Sequence, residues 1–351
     1  MASPNPSRMG MQVEWDEYLD TKNTMDLNTL LPIVFSKNYS VKFCGLQKLH
    51  PFDAAKGEHV LKFLIDGNLI KGDNYTQPLE AKKIDLQKVH TKKYLRSLKW
   101  SINAAKISEI PFLVFVPNAI VQRCYLKKMR FQTGGSILAS KLALQNGWGI
   151  NLGGGFHHCC SSNGGGFCAY ADISLIIHKL LVEERQLEKV MIVDLDAHQG
   201  NGHERDFQNN ENVFIFDMYN AFIYPRDHEA KAGIDIAVEL RPHTNDQIYL
   251  SKLRKFLDLS LSKFQPDMIV YNAGTDVLLG DPLGLLDITG NGVMDRDEIV
   301  FKKAFQLRIP IVMLLSGGYL RSSAKVIADS ILNLKAKGLL KGFDRHGFIT
   351  I

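Results

Sequence analysis

The chain has 351 residues, 45% hydrophobic and 23% charged, with 42 basic and 37 acidic side chains and a formal net charge of +5. That length builds one large α/β domain or two smaller ones, and so mild a charge argues against a nucleic-acid binder. Five cysteines (Cys44, Cys124, Cys159, Cys160 and Cys168) without a C-x-x-C pair argue against a disulfide framework or a cysteine-rich zinc site and fit a reducing compartment.

The first ten residues are Pro/Ser-rich, and Glu14, Asp16 and Glu17 follow. No apolar core of a signal peptide is present, so residues 1–25 are expected to form a disordered lead-in. Beyond them, strand-like apolar runs fall at 33–36, 149–152, 190–194, 213–216, 268–272 and 311–315. Helix-like amphipathic stretches fall at 57–66, 134–145, 171–184, 246–263, 295–305 and 322–334. This alternation is the α/β signature and predicts a single domain with a mostly parallel central sheet flanked by helices. The longest apolar stretch, 110–121, contains Pro111 and Pro117 and is too short to span a membrane. Basic runs at Lys82-Lys83, Lys92-Lys93 and 123–130 are short, mixed with apolar residues, and read as solvated surface.

Several predicted strands end in glycine-rich or polar turns, which a parallel sheet gathers at one edge. Gly153-Gly154-Gly155-Phe156-His157-His158 follows one strand. Adjacent histidines past a glycine turn need carboxylates to orient their rings and set their basicity. Gly164-Gly165-Gly166-Phe167-Cys168 sets glycines beside an aromatic ring, which suits a narrow channel. Met191-Ile-Val-Asp-Leu-Asp-Ala-His198 ends in acid, acid, histidine. With a strand period of two, Asp194, Asp196 and His198 point to one side. Asn272-Ala-Gly-Thr-Asp276 ends another strand with a second carboxylate. Asp196, His198 and Asp276 then make a two-carboxylate, one-histidine set that leaves a metal position open for water. Residues 287–298 nearly fit a calcium loop, but Thr289 stands where a ligand is needed and no incoming helix precedes it. A loop capping a helix from Asp295 is the expectation there. Ser316-Gly317-Gly318-Tyr319 ends the last strand and offers a hydroxyl to a developing oxyanion.

On these motifs, in this order, the chain resembles the zinc-dependent histone deacetylases, most closely the class IV branch, from about Ile33 to about Leu334. The resemblance implies a catalytic domain over 26–340, a tail at 341–351, and one α/β fold of the arginase and deacetylase kind. It implies one Zn2+ per chain on Asp196, His198 and Asp276, a set that also accepts Fe2+. Gly200 and Leu278 stand where a binuclear site would need carboxylates. His158 matches the general base and acid, His157 its neighbour, Asp194 the acid that orients His157, and Tyr319 the oxyanion donor. Gly166 and Phe167 match the acyl-lysine channel, with Tyr224 its opposite wall. A structural K+ is implied at the Asp194, Asp196 and His198 backbone. Asn201 stands where class I has an acid, so His158 is expected to be less basic. Lys56 stands where class I has an arginine near the acetate exit. The implied function is hydrolysis of N6-acyl-lysine on histones or other proteins, with a preference for long fatty-acyl chains. A corepressor complex, the nucleus or cytoplasm, no direct nucleic acid and no membrane span complete the expectation. Two rival readings are a non-catalytic acyl-lysine binding subunit and an acylpolyamine amidohydrolase.

Overall fold

The computed structural model describes residues 30–41, 55–183, 187–344 and 347–348. The expected lead-in at 1–25, Cys44 and residues 345–346 and 349–351 of the tail lie outside them. Eight strands form one sheet: β1 (Leu31–Val34), β2 (Tyr75–Thr76), β3 (Trp148–Asn151), β4 (Val190–Asp194), β5 (Val213–Asn220), β6 (Ile236–Leu240), β7 (Met268–Asn272) and β8 (Ile311–Leu314). Their order is β2-β1-β3-β8-β7-β4-β5-β6, and every pairing is parallel. The expected α/β architecture is the observed one.

Central strands β3, β4, β7 and β8 are buried along their whole length. Continuous apolar runs such as Val190-Met-Ile-Val suit this, because a parallel sheet is covered by helices on both faces. On β4, Met191 and Val193 join one core cluster, while Val190 and Ile192 join the other. The first cluster holds α1 (Lys56–Asp66) through Leu64. The second holds α2 (Lys83–Val89) through Leu86. Next come α3 (Lys92–Ser97), α4 (Ser101–Ser108) and α5 (Lys127–Asn146), the last entered through Asn118–Val121 and a π turn at Gln122–Leu126. Helix α5 presses onto β3 so closely that a Cβ on Gly149 would lie 2.2 Å from the Ala139 carbonyl oxygen. The remaining helices are α6 (Asp172–His178), α7 (Asn201–Phe207), α8 (Asp246–Lys263), α9 (Gly290–Leu307) and α10 (Ser323–Ala336).

Two boundaries differ from expectation for local reasons. Helix α9 starts at Gly290, not Asp295, because Thr289 caps it: its Oγ1 accepts from Gly292 N at 3.0 Å. Asp246 Oδ1 in turn accepts from Thr289 N at 2.8 Å. Gly290-Asn-Gly has weak helix propensity, so tertiary capping supplies what the local sequence lacks. The helix expected at 171–184 ends its α part at His178 and passes into a π turn at Lys179–Glu183. Strand β6 was not expected. Its Ile236, Val238 and Leu240 are buried while Ala237 and Glu239 are exposed, the alternation of a sheet edge.

Candidate active site

The loop after β3 is built on one buried carboxylate. Asp172 Oδ1 accepts from Phe156 N (2.8 Å) and Ile173 N (3.0 Å). Its Oδ2 accepts from Gly155 N (2.8 Å) and Ser136 Oγ (2.6 Å). Gly154 and Gly155 take φ of +69° and +81°, a region that glycine enters without a Cβ penalty. The turn delivers His157 and His158 side by side, with ring centroids 4.0 Å apart. Asp172 carried no sequence signal beyond its place at a helix start.

Strand β4 ends at Asp194, so Asp196 and His198 sit beyond the ladder. The two-residue strand period therefore does not aim them; hydrogen bonds do. Asp196 N donates to Asp194 Oδ1 (3.1 Å), His198 N to Asp196 Oδ1 (3.0 Å), and Ala197 N to Asp276 Oδ1 (2.9 Å). Asp194 Oδ1 also accepts from Asn272 Nδ2 at 2.9 Å. Asp194 Oδ2 takes His157 Nδ1 at 3.0 Å and His203 Nε2 at 2.8 Å. His157, Asp194 and His203 thus form a cluster in which both carboxylate oxygens are already saturated with donors. His203 was absent from the sequence expectation. Burial pulls His157 down, but the Asp196 and Asp194 carboxylates outweigh it and hold the ring up to about 9.

Asp196, His198 and Asp276 converge from the ends of β4 and β7, with ligand atoms within 4.8 Å of one another. His198 Nδ1 lies 3.1 Å from Asp196 Oδ1 and 2.9 Å from Asp276 Oδ2. All three are buried. Burial and the Asp196 charge push Asp276 up to about 7. Two buried carboxylates this close repel each other, and a divalent cation relieves that conflict. The space around them is kept by glycine: a Cβ on Gly317 would lie 2.3 Å from Asp276 Oδ2 and 2.7 Å from Asp196 Oδ2. The donor set, its burial and the open glycine side fit a metal with three protein ligands.

His158 Nδ1 lies 2.9 Å from Asn201 Oδ1. Asn201 Nδ2 donates to Asp227 Oδ2 at 3.0 Å, and Asp227 is gripped by Arg205 at 2.6 and 2.9 Å. Asp227 and Arg205 were not foreseen. Burial, then the charges on His157 and His198, hold His158 well below the usual imidazole range.

Tyr319 follows β8. Asp281 Oδ2 accepts from its backbone N at 2.8 Å. Its ring meets His198 edge-on at 6.4 Å and Phe167 at 5.9 Å. Burial, then the Asp276 and Asp196 charges, raise its phenol well above the usual value, so the hydroxyl stays a donor. Gly166 leaves room for His158, since a Cβ there would lie 2.4 Å from His158 Cδ2. Tyr224 packs its ring 4.9 Å from that of His158, and a Cβ on Gly165 would lie 3.0 Å from its hydroxyl, so it stands beside this wall. A cavity of about 1040 Å³, mouth included, runs past Phe167, His158, Asp196 and Tyr319. Lys56, Val41 and Met129 line it as well. Lys56 Nζ donates to the carbonyl oxygens of Ser316 (2.6 Å) and Gly317 (2.8 Å), which fixes the turn before Tyr319.

Comparison with known proteins agrees with this geometry. The histone deacetylase domain family matches residues 50–334. "Histone deacetylase 2" of Arabidopsis thaliana is 52% identical over 309 residues, 88% of this chain and 80% of that protein. The "Acetoin utilization protein AcuC" of Staphylococcus xylosus is 27% identical over 290 residues, 77% of this chain and 73% of that one. The crystal structure of the HDA15 HD domain superposes with a TM-score of 0.68 at 20% identity, covering 89% of this chain and 88% of that chain.

Proposed function

Since residues 50–334 carry the histone deacetylase domain, the chain belongs to the histone deacetylase family, and on that premise we propose that it is a zinc-dependent, class IV hydrolase of N6-acyl-lysine that favours long fatty-acyl chains. The observation that carries the reading is the convergence of Asp196, His198 and Asp276 beside His158, with Asp196 and His158 lining the cavity. Bound by those three residues, Zn2+ would polarise the amide carbonyl and acidify a water molecule. Fe2+ suits the same donors.

The protein's own residues supply the rest. Asn201 Oδ1 accepts at His158 Nδ1, which leaves the Nε2 lone pair free. His158 is neutral, so Nε2 takes the proton of the attacking water and returns it to the leaving lysine amine. The Tyr319 hydroxyl donates to the developing oxyanion. Phe167 and Tyr224 flank the lysine methylenes. The long-chain preference is supported by the apolar walls that Val41, Met129 and Leu152 give the cavity. A structural K+ at the backbone of Asp194, Asp196 and His198 belongs to this same proposal. Histone or other protein acyl-lysines, a corepressor complex, and nuclear or cytoplasmic residence belong to this same proposal.

Turnover of one lysine peptide carrying either acetyl or myristoyl tests the reading. Myristoyl should leave faster, and Tyr319→Phe should lower kcat by about 10²–10³. Wild-type rates in Tyr319→Phe would overturn it. Metal uptake without turnover of any acyl peptide would favour the binding subunit. One observation favours the polyamine reading: Glu109 is exposed between Ser108 and Ile110, both of which line the cavity. A rate on acetylpolyamines that exceeds the peptide rate and falls in Glu109→Gln would establish it.

A further inference from the structure

We propose that the face built from residues 91–128 docks on anionic lipid bilayers and brings the channel to acyl-lysine held at a membrane surface. The acyl-lysine part rests on the function proposed above; the lipid contact stands on separate observations.

Trp100, Ile102 and Phe115 are 69%, 61% and 89% exposed, and Val114 and Ile120 are exposed beside them. Hydrogen bonds gather these residues. Ser101 Oγ donates to Val116 O at 2.7 Å. Asn118 Nδ2 and Gln122 Nε2 both donate to Leu98 O, at 3.3 and 2.9 Å. The start of α4 therefore lies against the segment that carries Phe115 and Ile120. Single exposed apolar residues are ordinary on a protein surface, but a contiguous group of this kind marks an interaction site.

The same stretch concentrates charge. Residues 91–128 hold eight Lys and Arg and one acid, Glu109, although the whole chain is only +5. Outside this stretch the acids outnumber the bases. Lys92, Lys93, Arg96, Lys99, Lys106 and Arg123 are exposed, and none makes an ion pair among the described residues. The sequence alone presents these as short basic runs separated by apolar residues. Along the chain the basic residues flank the apolar ones, and the hydrogen bonds at Leu98 and Val116 fold 98–101 against 116–122.

A cationic rim around Trp, Phe and aliphatic side chains matches the interface of an anionic membrane. Binding there sums buried apolar area and attraction to acidic headgroups. Trp suits the headgroup level, where its ring is buried and its N–H is wet. Single-stranded nucleic acid would reward the aromatic rings by stacking, but not Ile102, Val114 and Ile120. The patch is also coupled to the channel. Helix α4 runs from the patch to Ser108, which lines the cavity. Ile107 O accepts from Phe167 N at 2.9 Å.

The test is sedimentation with vesicles of phosphatidylcholine alone or mixed three to one with phosphatidylserine. The wild-type chain should bind the mixed vesicles, bind the neutral ones far less, and release in salt. Phe115→Glu and Trp100→Glu should abolish binding. Lys92→Gln with Lys93→Gln should weaken it about thirtyfold. Each variant should melt at the wild-type temperature and deacylate a soluble peptide at the wild-type rate, yet lose rate on a myristoyl-lysine peptide anchored in mixed vesicles. Absence of wild-type binding to mixed vesicles at low salt would overturn the proposal. So would binding that the substitutions leave unchanged, or binding displaced by single-stranded RNA. Vesicle binding with no turnover of any acyl peptide would support the lipid contact and overturn the acyl-lysine reading.

Discussion

At His158, burial and two neighbouring imidazoles act in one direction, and the residue at Nδ1 decides how far. Asn201 orients the ring without a charge that could stabilise imidazolium. The nearest carboxylate beyond it, Asp227, is already committed to Arg205. On the proposed mechanism His158 is therefore a neutral base whose acid limb lies below that of a free imidazole. Asn201→Asp places a charge against Nδ1, favours the protonated ring, and should move the acid limb of kcat/KM to higher pH. A pH profile of both proteins checks this, and coincident acid limbs would refute the role given to Asn201. The sequence expectation of a less basic His158 followed from Asn201 alone. Asp227 was not visible, because it reaches Asn201 and Arg205 from the loop after β5, 26 residues along the chain from Asn201.

Helix α9 shows how an element can be legible in type and not in purpose. Its sequence resembles a calcium loop, yet Arg296 from the same segment is fully buried beneath the loops that carry Asp196 and Asp276. The guanidinium donates to the carbonyl oxygens of Leu195 (3.3 Å), Gly274 (2.5 Å) and Ala273 (3.3 Å), and its Nε to Asp297 at 2.9 Å. Those carbonyls lie just past the C-terminal ends of β4 and β7, where no ladder satisfies them. Arg296→Leu removes their guanidinium donor and leaves Asp297 buried without a counter-charge, held only by the Tyr271 and Ser330 hydroxyls. It should cost about 3–5 kcal/mol of stability, read by urea denaturation, with metal affinity falling in parallel. Stability within 1 kcal/mol of wild type, on the order of a minor surface change, would count against this account.

Over the whole molecule, β3, β8, β7, β4 and β5 lie side by side, so five loops distant in sequence deliver their residues to one edge. Asp194 joins them through His157, His203 and Asn272. Burial works to raise its carboxyl, but the two histidines outweigh burial and hold it well below the ordinary range. A depressed carboxylate contributes stability above its unfolded value of about 3.9, and that contribution is lost as pH falls towards its folded value. Asp194→Asn should therefore lower stability at neutral pH by about 3–5 kcal/mol and flatten the decline below pH ~4. Denaturant titrations at several pH values measure both effects, and parallel curves for the two proteins would exclude Asp194 as the source.

The sequence by itself determined the α/β class, four of the central strands and the residue types that meet at their ends. Those features are local: apolar runs such as Val190 to Val193, glycine turns such as Gly153 to Gly155, and His, Asp and Tyr placed directly after a strand. Tertiary structure alone decided the supports. Asp172, His203, Asp227, Asp281 and Arg296 reach their partners across 9 to 101 residues of chain. A buried polar group is fixed by whichever donor or acceptor the fold brings to it, and strand order settles that, not spacing along the chain. The exposed face around Trp100 and Phe115 follows the same rule. Trp100 and Phe115 are fifteen residues apart, and the packing of 98–101 against 116–122 brings their segments together.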